Sequence, residues 1–314
     1  MPAILPSGLP TLLDPSTYTA GGSLWNFRQM VFGAYNFPLT CQVKTDSQKI
    51  GLDQKRVPFN FGDQIPLNTN FAAKEVNIVG LVGSGLVGSS GATIVSANDL
   101  EAERVKLQGL ANQGHTFLFT RWDRFRLAFL SELQCNPEQD YGEWRYATFD
   151  AKFICDDPRA YGITQHSETG SVSGSTPFSF TATHGGNIVA FPQITITGLG
   201  MTDAAAGNGP IIGMEVGGNV QQIAFSTLAL KGGDTLVINC DPRPENRCIA
   251  AVYTPSGGSP QNAMGFVRPT DYTQEIDFTE FFPFIPPGAG CTFYVSCTSG
   301  GNFDVTVDYL DTFI

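Results

Sequence analysis

Few side chains in this sequence are equipped for chemistry. There are three histidines, His115, His166 and His184. None has a second ligand at HxH or HExxH spacing, so the pattern indicates neither a metal centre nor a general base for the abundant Ser and Thr. The seven cysteines, Cys41, Cys135, Cys155, Cys240, Cys248, Cys291 and Cys297, show no CxxC spacing, which argues against zinc. Cys291 and Cys297 close the run Cys-Thr-Phe-Tyr-Val-Ser-Cys. On a strand they share one face but stand about 20 Å apart, beyond disulfide reach. Cys240 and Cys248 flank Asp-Pro-Arg-Pro-Glu-Asn-Arg and would face each other across a hairpin. The start, Met1-Pro2-Ala3-Ile4-Leu5-Pro6, lacks the basic region and apolar core of a secretion signal, so reduced core thiols are expected.

Four other features resemble sites and have simpler readings. Gly83-Ser84-Gly85-Leu86-Val87-Gly88 is formally GxGxxG. A dinucleotide site requires a helix to open at its last glycine, whereas Ser89-Ser90-Gly91-Ala92-Thr93-Ile94-Val95 reads as strand, so a glycine-rich hairpin is expected. Asp156-Asp157 precedes Pro158, where Asp commonly closes a turn through its own backbone. Arg121, Arg124 and Arg126 interleave with Trp122 and Phe125, as in a base-stacking platform, but Asp123 interrupts the charge. A solvated strand face or a subunit contact is expected there. Val76 to Asn98 is uncharged and long enough to cross a bilayer, but its glycines and serines make two Gly-linked strands the better reading. No catalytic, cofactor-binding or metal-binding residue is assigned, and the chain is expected not to be an enzyme.

Composition describes the scaffold that holds these residues. In 314 residues there are 35 Gly, 20 Pro and 24 Phe, and charged residues make up 15%, against ~25% in typical domains. That mixture disfavours both disorder and a helical protein. Net charge is −11, and it is uneven: residues 1–165 hold 14 basic and 16 acidic side chains, residues 166–314 hold 4 and 13. The acidic half is poorly suited to displace counterions from nucleic acid. The charge step coincides with a polar Ser/Thr/Gly stretch, Ile163 to Pro177, that reads as a linker or first turn. Two domains are therefore expected, 1–165 and 166–314.

The first domain is expected to be α+β. Its helix runs from about Asp99 to Asn112, capped by Asn98, with Glu101 at the capping-box position and Leu100, Leu107 and Ala111 as an apolar stripe; Gly114 stops it. Phe117 to Leu130 reads as strand, and Arg145 to Cys155 alternates with Ala147, Phe149, Ala151 and Phe153 on one face. The second domain reads as antiparallel β-sandwich, from the alternation in Ile194–Thr197, Leu236–Cys240, Cys291–Cys297 and Phe303–Tyr309 and the Gly-rich turns between them.

The order of these segments resembles the distal tail proteins (Dit) of long-tailed bacteriophages, from about Val76 to the end. The segments that carry it are the apolar strand and loop before the helix, the Arg/aromatic strands, and the turn Asp157-Pro158-Arg159-Ala160-Tyr161-Gly162 after a long alternating strand. Gly186 to Gly198, Gly233 to Ile238 and Phe282 to Gly288 are similar to strands and a turn of that family's second domain. The resemblance implies a mainly β protein: an N-terminal β-sandwich or split barrel with one flanking helix, and a galectin-like C-terminal sandwich. It also implies a structural virion protein, assembled in the bacterial cytoplasm, that forms a homo-hexameric ring at the tail tip. That ring would join the tail tube protein to tip, fibre or receptor-binding proteins, with no membrane span and no nucleic-acid sequence recognition. A carbohydrate-binding sandwich acting in host recognition is the alternative.

Overall fold

The computed structural model describes residues 30–38, 40–47, 73–90, 92–121, 123–140, 143–155, 157–174, 176–200, 209–216, 219–225, 228–240, 251–266, 268–269, 284–288, 290–297 and 301–314. Among them the protein is mainly β, with large antiparallel sheets and one α-helix. Two compact units are separated at Tyr161–Gly162. Gly91, Trp122, Asp156, Cys248 and the first two residues of the Phe282 to Gly288 segment lie outside the described residues.

The first unit contains β1 (Val31–Phe32), β2 (Tyr35–Asn36), β3 (Gln42–Ser47), β4 (Lys74–Gly83), α1 (Ala97–Gly109), β5 (Thr116–Arg121), β6 (Arg124–Asp140) and β7 (Glu143–Cys155). The order β3-β4-β7-β6 forms one antiparallel ladder, and β6-β5-β1-β2 continues from the shared strand β6. Strand β7 alternates as its sequence dictates: Ala147, Phe149, Ala151, Phe153 and Cys155 are buried, and the residues between them are partly exposed. The buried face meets Val76, Ile78 and Val82 of β4, the rings of Phe32 and Phe37, and α1. Phe32 and Phe153 lie 4.7 Å apart, centroid to centroid.

The helix differs from expectation at its start. Its N-cap is Ser96, whose hydroxyl accepts from Asp99 N–H, while the Asp99 carboxylate accepts from Ser96 N–H. The capping box is thus two residues earlier than Asn98/Glu101, because Ser-x-x-Asp satisfies the free N–H groups equally well. A 3-10 turn, Leu110–Asn112, follows, and Gly114 at φ 63° ends the segment. Leu100 and Leu107 are buried as expected, but Ala111 is exposed and Leu110 takes its place in the core. Each such leucine contributes about 2 kcal/mol of transfer free energy.

The Gly-rich segment also departs from the two-strand reading. Among the described residues only β4 forms; residues 84–90 and 92–95 make a loop that holds the bridge Val87 to Thr93. Its bonds are local: Gly85 N–H to Ile94 C=O, Gly88 N–H to Ala92 C=O and Ile94 N–H to Leu86 C=O.

The second unit holds most of β8 (Ala160–Gly174), then β9 (Phe178–Ala182), β10 (Gln193–Gly198), β11 (Pro210–Val216), β12 (Asn219–Ala224), β13 (Thr235–Asn239), β14 (Ala251–Thr254), β15 (Gln261–Asn262), β16 (Arg268–Pro269), β17 (Cys291–Cys297) and β18 (Gly301–Phe313). One sheet runs β15-β14-β13-β10-β18-β8 and the other β16-β12-β11-β17-β9. Ile194, Ile196, Leu236, Ile238, Val305 and Val307 from the first sheet share a core with Ile212, Met214, Phe293 and Val295 from the second, which makes a β-sandwich. Cys291 and Cys297 are both buried on the same face of β17. The stretch Ile163 to Pro177 is not a linker: β8 extends through most of it. Its Ser/Thr/Gly character is that of a strand with polar residues outward, as in Ser171, whose hydroxyl donates to Asp304 at 2.7 Å.

Candidate functional site

Among the described residues, charged side chains converge at the end of the β5–β6 hairpin. The register Arg121↔Arg124 closes the hairpin tightly, so Asp123 lies beside both arginines. Its Oδ1 is 3.2 Å from Arg121 Nε and its Oδ2 accepts from Arg124 Nε at 3.1 Å. Phe125 points into an aromatic cluster, 5.1 Å from Phe117, 5.5 Å from Phe119 and 5.8 Å from Tyr161. A base therefore has no open Phe125 ring to stack on. The solvated-face reading also fails for Arg126, which is only 9% exposed. It lies opposite Leu118, a core residue.

Tyr161 links this hairpin to the Asp157–Gly162 turn. Asp157 closes the turn, its Oδ1 accepting from Arg159 N–H at 3.1 Å. The same carboxylate takes two guanidinium bonds, from Arg159 Nε at 2.8 Å and Nη2 at 3.0 Å, and a short bond from the Tyr161 hydroxyl. Arg159 lies 5.8 Å from the Tyr161 ring centroid. All three residues are buried. The bidentate pair has the geometry that favours Arg over Lys. Five consecutive residues thus form a rigid corner from their own side chains.

A second polar cluster holds the loop of residues 84–95. Glu103 lies on the core face of α1, between Leu100 and Leu107, and is buried. Its Oε1 accepts from Ser89 N–H at 2.9 Å and from Tyr35 O–H at 2.8 Å, and its Oε2 is 3.3 Å from Lys106 Nζ. Burial by itself would raise its pKa, but the donors from Ser89, Tyr35 and Lys106 outweigh that and hold it below the ordinary value. The Tyr35 hydroxyl is raised, first by burial and then by the Glu103 charge. A Cβ on Gly88 would come 3.0 Å from Glu103 Oε2. The residue that follows the formal GxGxxG, Ser89, therefore binds a carboxylate of its own chain. Burial also pushes the Cys41 thiol up to about 12.

The second unit gives two of the histidines definite partners. His166 Nε2 lies 3.0 Å from Asp311 Oδ1, and its ring stacks on Tyr309 at 4.8 Å and 13°. Asp311 Oδ1 also accepts from Gly185 N–H at 2.7 Å. His184 is buried; its Nδ1 accepts from Gly186 N–H at 3.1 Å, so Nε2 carries the proton that it donates to Ile285 C=O at 3.1 Å. Burial lowers its pKa, and nearby Asp311 opposes that shift. The loop they anchor holds the last strand, with Asn187 and Ile188 N–H both donating to Thr312 C=O. A charged partner for His166 escapes sequence reading because 145 residues separate the pair. Asp234 plays a similar structural role, accepting from Lys231 N–H, Ser256 N–H and Tyr253 O–H. The third histidine, His115, packs its ring 4.9 Å from Phe129.

No described helix is long and apolar enough to cross a membrane. Among the described residues no group of three or more His, Cys, Asp or Glu is arranged to hold a metal ion. Neither the protein-family models nor the curated proteins contain a match to this chain.

Proposed function

We propose that this chain is a structural, non-enzymatic building block of a bacteriophage tail tip. In this reading its first unit builds a homo-hexameric ring, its sandwich projects outward, and the ring joins the tail tube to tip, fibre or receptor-binding proteins. The observation that carries the reading is the order of elements. An apolar strand, a loop, a capped helix, an Arg/aromatic hairpin and a long alternating strand lead into the Asp157–Arg159–Tyr161 corner, and a β-sandwich follows. That is the order in which the sequence resembles the distal tail proteins. A ring uses one heterologous interface repeated around an axis, so each subunit must present a rigid contact element. The hairpin end, braced by Phe125, Tyr161 and the buried Asp157–Arg159 pair, has that rigidity.

Native mass spectrometry of the purified full-length chain tests the proposal. A hexamer, or a pair of stacked hexamers, is expected. A stable monomer across the micromolar range would sink it, and glycan binding by such a monomer would favour the carbohydrate-recognition reading instead.

A further inference from the structure

Arg126 is nine-tenths buried as a residue, and its Nε is shut off from solvent with no hydrogen-bond acceptor among the described residues. Its Nη nitrogens do not share that combination of enclosure and missing acceptor. Every other buried charge discussed above has a partner: Asp157 has Arg159, Glu103 has Lys106 together with Ser89 and Tyr35 donors, and Asp234 has two backbone donors and Tyr253. A buried cation with no counter-charge is costly, and a well-packed apolar residue at that place would be more stable in the isolated subunit. Asp123, the carboxylate nearest in sequence, is ion-paired with Arg121 and Arg124, although its own Oδ1 receives no hydrogen bond among the described residues.

We propose that Arg126 accepts a carboxylate from a second copy of this chain, end-on through its Nη edge, and so forms a charged anchor of the subunit contact. Charge complementarity selects this occupant. The chain has 29 acidic side chains against 18 basic, so a neighbouring copy is far richer in carboxylates than in cations. Arg121 adds to the positive field as an exposed side chain at the same hairpin end. An Arg held in place by its surroundings and completed only by a partner is the arrangement found at interface hot spots. Phosphate or another anion would satisfy the same geometry, and the test separates these cases.

The proposal rests on the ring reading, and the experiment separates their failures. Native mass spectrometry of the full chain comes first; a monomer refutes the ring and leaves Arg126 no second copy. With a ring present, Arg126→Gln is expected to require at least tenfold more protein to assemble. Its far-UV spectrum should match wild type, and at concentrations where both chains are monomeric its unfolding midpoint should be equal or higher. Rings with an unchanged concentration dependence overturn the Arg126 proposal alone. As a second measurement, Arg126→Lys chains, half of them nitrogen-15 labelled, are mixed, assembled and treated with a carbodiimide. Cross-linked peptides joining position 126 to an Asp or Glu peptide of the other isotope are expected. Cross-links confined to one isotope place the carboxylate in the same chain, and none at all places another anion there; either result overturns the proposal.

Discussion

Replacing Glu103 by Ala should destabilise the first unit by about 3 kcal/mol. The carboxylate receives two hydrogen bonds, from Ser89 N–H at 2.9 Å and Tyr35 O–H at 2.8 Å. Bonds to a charged group contribute about 1.5–3 kcal/mol each. Tyr35 is buried, so its hydroxyl cannot turn to water when the acceptor goes. Ser89 is only partly buried, so a small shift of the loop can hydrate its N–H, which places the sum at the lower end of the range. The Lys106 contact adds little, since its ammonium is about half exposed. Glu103→Gln keeps an acceptor at Oε1 and should cost about 1 kcal/mol. Glu103→Leu fills the space but strands both donors, so it should fall between the two. The assay is urea unfolding together with amide exchange of residues 84–109; the exchange readout is needed because two units need not unfold in one transition. In a Tyr35→Phe/Glu103→Gln cycle the coupling should be about 1 kcal/mol. The depressed pKa adds a sign: this stability is present above the ordinary carboxylate pKa and is lost as pH falls through the lower folded-state value. If Glu103→Ala changed stability by under about 0.5 kcal/mol, or Glu103→Leu exceeded wild type, the carboxylate would not be what holds the loop.

Three further outcomes follow from the geometry. His184 has a depressed pKa, so lowering the pH below its ordinary value near 6.5 should destabilise the sandwich as the unfolded chain gains a proton that the folded one resists; His184→Gln should flatten the pH 5–7 stability profile. Gly186→Ala should be severely destabilising, because a Cβ there collides with Thr312 backbone atoms that lie in a strand and cannot move aside; thermal unfolding of the variant measures it. Asp157→Ala should cost about 3–5 kcal/mol by stripping Arg159 of a bidentate buried carboxylate, whereas Asp157→Asn, which keeps the turn acceptor, should cost less; denaturant midpoints at constant slope give both values.

Much of the scaffold was legible because its signals are local. Period-two alternation in residues 145–155, 291–297 and 303–309 specifies which side chains are buried, whatever their distant neighbours are. The helix was legible to within a turn, since caps and stop residues act over three or four positions; the Ser96/Asp99 box was missed because Asn98 and Glu101 offered a competing one. Ile163 to Pro177 misled because its composition is that of a loop, while membership of β8 comes from hydrogen bonding to remote strands.

Composition and local pattern suffice to mark a strand-rich, lightly charged protein, with its acidity in one half and its Trp and most Arg in the other. What the polar groups do is set by folding. It buried Glu103 on a helix face otherwise occupied by leucines, brought His166 to Asp311 across 145 residues, and enclosed Arg126 opposite Leu118. Backbone propensity is set by a few neighbouring residues, whereas the fate of a charge depends on which distant donor, acceptor or water it meets once the chain has folded.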